Sequence, residues 1–171
     1  MNRLLHETHD NARRHLLAAQ GPHGHWVGQL SASALSTATA VFALSRANRP
    51  ALVPAGVRWL VANQNPDGGW GDTVRSVSNI STTALCWAAL AGHPAGDNAA
   101  SLAEQWLNNA AGSLEPAVLA KAIADKYGKD RTFSVPILTM LAIAGRLGPD
   151  PWRLVPQLPF ELAALPFEWF Q

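Results

Sequence analysis

The chain has 171 residues, enough for one domain with a core of its own or for a part of something larger. Its residues are 48% apolar and only 15% charged, a balance that suits a fold burying much of its surface or packing against a partner. A formal net charge of +1, with no Lys/Arg run and no phosphate-cradling glycine loop, gives nucleic acid and anionic membranes no electrostatic footing.

Apolar residues recur at three- and four-residue spacing, and alternating β-branched runs are absent, so the expected class is all-α. Leu4, Leu5, Ala12, Leu16 and Ala19 form a stripe on a first helix, and this N-terminus is too polar for a secretory leader. A second helix is expected from about Ser33 to Leu44, too short and too rich in Ser and Thr to span a bilayer. A third runs from about Pro54 to Asn63, and a fourth from about Ser78 to Leu90. Cys86, on the fourth, is the single cysteine; it excludes an internal disulfide framework and fits a cytoplasmic setting. Asp97 reads as the N-cap of a fifth helix ending near Asn109. Glu115-Pro116 opens a sixth that Gly128 closes, and Thr132 or Ser134 with Pro136 opens a seventh that stops at Gly148-Pro149. Pro149, Pro151, Pro156, Pro159 and Pro166 are too dense for a long helix beyond it.

A repeat underlies these elements. Arg14, Leu16, Ala18, Gln20, Pro22, Gly24 and Trp26 match Arg58, Leu60, Ala62, Gln64, Pro66, Gly68 and Trp70, each pair 44 apart. A weaker third copy begins at Gln105-Trp106-Leu107 and lacks the Gln and Trp loop. Periods of this length belong to stacked helical hairpins. In the shared loop, Gly24 and Gly68 can take the positive φ that a tight reversal needs. Trp26 and Trp70 can cover the turn, and the Gln20 and Gln64 amides can serve orphan groups at helix ends. Asp67 and Asp72 are placed to cap or brace the second loop. These are staples rather than reacting groups.

The loops resemble the QW motif of the squalene–hopene and oxidosqualene cyclases, in which an aromatic-Leu pair precedes Gln and then Gly-x-Trp. Gly56, Trp59, Leu60, Gln64, Gly68 and Trp70 follow it closely, whereas His15 stands at the aromatic position of the first copy. The stretches Ser76 to Thr83, Tyr127 to Leu138 and Val155 to Leu162 are similar, in order, to the N-terminal part of bacterial squalene–hopene cyclase-like proteins. The resemblance implies helical hairpins of an incomplete α/α-barrel over residues 1–148, with a Pro-rich tail, or the start of an inter-domain segment, over 149–171. It implies a linear polyprenyl, squalene-like substrate, no cofactor and a peripheral membrane surface from which to collect that substrate. Exposed barrel edges leave room for a homo-oligomer.

One departure limits this. Such cyclases protonate their substrate with the middle Asp of Asp-x-Asp-Asp, and no such motif occurs here. Asp67, Asp72, Asp97, Asp125, Asp130 and Asp150 stand apart from one another. The chain is therefore expected to be catalytically incomplete alone: a truncated gene, an excised fragment or one subunit of a split protein. No catalytic or metal-binding residue is assigned. The rival from another class is a non-catalytic helical module that binds a hydrophobic partner or lipid. A third is a protein prenyltransferase relative, which would hold zinc with Cys86 and His93 among its ligands. Against metal binding, His6, His9, His15, His23 and His25 have no completing carboxylate or Cys spacing and read as exposed helix and loop residues. Trp59, Trp87 and Trp106 occupy helix-core positions, Trp152 and Trp169 are candidates for partner contact, and Glu161 is the acid expected to be partly buried.

Overall fold

The computed structural model describes residues 3–28, 31–47, 49–157 and 164–170. Glu161, in its Leu158-to-Leu162 run, lies outside the described residues. The described residues contain seven α-helices and no strand. They divide into two compact units, Met1–Ser31 and Ala32–Gln171.

The first unit is helix α1 (Arg3–Ala18) and the loop after it. An i,i+4 ion pair from Arg3 to Glu7 supports the first turns at 2.9 Å, and Leu4, Leu5 and Leu16 of the apolar stripe, with Leu17 beside them, are all more than half exposed.

The second unit holds α2 (Ala34–Arg46), α3 (Val53–Ala62), α4 (Ile80–Ala89), α5 (Asp97–Ala111), α6 (Pro116–Tyr127) and α7 (Arg131–Ile143). Side-chain caps set most of their starts: Ser33 accepts from Ser36 N–H, Asn79 from Thr82 N–H, Glu115 from Val118 N–H and Asp130 from Thr132 N–H. The start of α5 and both ends of α7 differ from the sequence reading. A 3₁₀ turn (Pro94–Gly96) precedes α5, so Gly96 takes the N-cap and Asp97 is the first helical residue. In α7, Asp130 caps one turn upstream of the expected start and leaves Pro136 inside the helix. That helix ends at Ile143, short of the expected Gly148-Pro149, because Gly145 (φ 72) allows a Schellman turn, with the Arg146 N–H on the Leu141 carbonyl at 2.9 Å and the Gly145 N–H on Ala142 at 3.1 Å.

Helices α2, α4 and α7 pack side by side with α4 in the middle; α3 packs on α2, α5 on α4, and α6 on both α5 and α7. Two rows of three helices result. Small residues let α4 fit between its neighbours, and every residue from Ser81 to Ala89 is buried. Gly56 of α3 serves the same end: a methyl group there would lie 2.3 Å from Val41 Cγ2 of α2. The third hairpin runs in the opposite sense to the others. In the first two pairs the earlier helix lies in the α2–α4 row, whereas α6 stays beside α5 and α7 enters that row.

Candidate functional site

The two Gln-x-x-x-Gly-x-Trp loops repeat bond for bond. Gln20 Nε2 donates to the Gly24 carbonyl at 2.7 Å, and Gln64 Nε2 to Gly68 at 2.8 Å. Trp26 Nε1 donates to Leu16 at 2.6 Å, and Trp70 Nε1 to Leu60 at 2.9 Å, each serving a carbonyl in the last turn of the preceding helix. The Gly21 N–H reaches the His25 carbonyl and the Asn65 N–H the Gly69 carbonyl, both at 2.9 Å. Gly24 (φ 77) and Gly68 (φ 87) take the left-handed conformation that such a reversal requires.

The loops differ in what surrounds them. Trp26 is 47% exposed, and a methyl group at Gly24 would meet no atom within 4 Å. Trp70 is 1% exposed; Gln64 Nε2 also donates to the Ala99 carbonyl of α5 at 2.9 Å, and a methyl at Gly68 would lie 3.0 Å from the Leu102 oxygen. The second loop also folds back over the start of α4. Thr83 Oγ1 accepts from the Trp70 N–H at 3.0 Å, Thr82 Oγ1 donates to Asp72 at 2.6 Å, and Asn79 Nδ2 donates to the same carboxylate at 2.9 Å. Two further glycines permit this closure: a Cβ at Gly69 would lie 2.6 Å from Ser78 Cβ, and one at Gly71 would lie 2.5 Å from the Ser76 and Val77 carbonyl oxygens. The first copy has His25 and Val27 at these positions. Gly69, Gly71 and Thr83 were missed in the sequence, where the Gly-Gly-Trp-Gly run was the available signal.

Both loop acids are held below the usual carboxylate range. At Asp67 burial pushes the carboxyl up, but bonds from Ser78, the Gly69 N–H and Trp106 outweigh it. At Asp72 the Thr82 and Asn79 hydrogen bonds dominate over burial, with Lys126 adding a smaller attraction.

A second feature lies on the α2–α4–α7 row. A groove of about 550 Å³ opens there, within the range of ligand pockets. Leu35, Phe42 and Ala43 of α2 form one wall, Pro136, Met140 and Ile143 of α7 another, and Leu85 of α4 lies between them. Of the hydroxyls at its edge, Thr39 Oγ1 donates to the Leu35 carbonyl at 2.8 Å, the Tyr127 hydroxyl donates to Ser81 Oγ at 2.8 Å while its ring stacks on Phe133, and Thr139 contributes a third. No carboxylate lines the groove. Its contact chemistry is hydrocarbon.

The remaining candidates lie apart. Cys86 is buried in α4, its thiol pushed far up by desolvation, with Sγ 3.8 Å from the Ala34 carbonyl. His93 Nε2 is 3.2 Å from Ser45 Oγ. His23 and His25 stack on one another in the first loop, and among the described residues no three His, Cys, Asp or Glu side chains converge. Trp87 is buried, Trp59 and Trp106 pack partly against the core, and Trp152 and Trp169 are exposed.

Residues 10–171 match the model of the squalene-hopene cyclase N-terminal domain. Enfumafungin synthase from Hormonema carpetanum is 31% identical over 155 residues, covering 88% of this chain and 10% of that protein. The chain thus spans about a tenth of that relative's length. No solved structure matches.

Proposed function

Because the chain belongs to the squalene-hopene cyclase N-terminal domain family, we propose that it supplies part of an α/α-barrel scaffold to a triterpene cyclase. In this reading Gln20, Gly24, Trp26, Gln64, Gly68 and Trp70 are QW-motif staples, and the apolar groove is one wall of a polyprene cavity. The groove carries the proposal. A linear polyprene has no polar handle, and a wall without a carboxylate, whose Thr39 and Tyr127 hydroxyls are already engaged, offers it a mainly hydrocarbon contact. The acid that starts cyclisation lies outside this chain: Asp67 and Asp72 are ionised at neutral pH and sit in the stapled loop rather than in the groove. Among the described residues no helix is long and apolar enough to cross a membrane, so collection of a polyprene from a bilayer would run through surface contact.

Incubating the isolated chain with squalene should give retention without conversion, read by co-purification and by gas chromatography. A cyclised product would overturn the proposed incompleteness. Leu35→Asn and Ile143→Asn, at partly exposed groove positions, should abolish retention, and unchanged retention would remove the groove from the proposal. The rival, a lipid-holding module without turnover, is served by the same groove. It is separated by a chimera of enfumafungin synthase carrying this chain in place of the matched segment. Cyclised product favours the scaffold, and a folded but inactive chimera favours the module.

A further inference from the structure

The groove has a polar neighbour. A cleft of about 210 Å³ is lined by Phe42, Ser45, Arg46, Ala89, Ala91 and His93, and Phe42 lines the groove as well. Arg46 stands at the junction: its guanidinium lies over the Phe42 ring, 5.2 Å from the centroid, and its Nη2 donates to the Ile143 carbonyl at 3.0 Å. It thereby joins the last turn of α2 to that of α7, where carbonyl dipoles favour a cation. The Ile143 carbonyl occupies one of the five N–H donors that a guanidinium carries.

Ser45 and His93 do not form a nucleophile and base. The Ser45 hydroxyl proton is directed to the Val41 carbonyl at 2.7 Å, so Oγ accepts from His93 Nε2–H. The pair is a fixed polar wall. None of the six residues lining this cleft is a carboxylate, so the charge Arg46 brings meets no counter-charge among them.

We infer that groove and cleft form one site for a single-chain anionic amphiphile, its alkyl or isoprenoid tail in the groove and its carboxylate or phosphate head at Arg46. The inference rests on the hydrocarbon reading of the groove and adds a head group that a plain polyprene lacks. The argument is charge complementarity at the mouth of an otherwise apolar site.

The test is calorimetric titration of the whole chain with dodecyl phosphate and with dodecanol, both below their aggregation limits. Dodecyl phosphate should bind about tenfold tighter, as expected for a charge-assisted hydrogen bond at an exposed arginine. Arg46→Met should bring its affinity down to that of dodecanol and leave dodecanol unchanged. Leu35→Asn should weaken both ligands. Equal affinity for the two in the unaltered chain, or a preference that survives Arg46→Met, would overturn the inference and leave the hydrocarbon groove standing. Failure of dodecanol to bind at all would remove the groove reading itself.

Discussion

The indoles of Trp26 and Trp70 make the same bond to a carbonyl ten residues upstream, yet one ring is half exposed and the other sealed. Water can replace the first donor but not the second. Trp70→Phe should therefore cost about 1–3 kcal/mol in urea denaturation, while Trp26→Phe should cost less than about 0.5 kcal/mol. The carboxylates add a pH signature. Asp67 and Asp72 titrate lower in the fold than their ordinary value of 3.8, so their contribution is present above that value and is lost as pH falls through the lower folded values. Acid denaturation followed by circular dichroism should begin below about pH 4, and Asp72→Asn should flatten that limb. The Gln, Gly and Trp positions were legible because their bonds are local to the loop. Gly69 and Gly71 were not, since what forbids a side chain there is Ser76, Val77 and Ser78 returning from beyond the turn.

Helix positions follow from caps and stripes, but helix ends and contacts depend on neighbours. Pro136 reads as a start signal because proline favours first turns, yet the Asp130 cap, two to four residues before the expected Thr132 or Ser134, starts the helix first, and the helix absorbs the lost N–H. Gly56 was legible as a motif residue, while its reason is steric. Gly56→Ala should destabilise by about 1–3 kcal/mol through the clash with Val41, and Val41→Ala in the same chain should recover part of the loss in a double-mutant cycle. Another tertiary joint is Arg146, whose guanidinium lies 4.2 Å from the Trp87 ring centroid, donates to the Trp87 carbonyl at 3.3 Å and pairs with Glu104 at 3.6 Å. It ties the turn after α7 to α4 and α5. Arg146→Lys should lose roughly 1–2 kcal/mol in thermal or urea unfolding, because an ammonium cannot stack and reach both partners.

For the molecule as a whole, the 44-residue repeat announced stacked hairpins, and two copies behave as their sequence alignment requires. The third does not: a short link through Gly112 (φ 84) returns α6 beside α5, and α7 fills the row that the repeat would have given to α6. That exchange was invisible in the sequence, where both helices have an apolar face and only packing decides which row each joins. It also places Pro136, Met140 and Ile143 along the groove. In the middle of its row, α4 has no residue from Ser81 to Ala89 left at the surface. Local fraying therefore gives solvent no path to its amides. In native-state hydrogen exchange they should be the last to take up deuterium, opening only when the entire second unit unfolds, while α1 exchanges early.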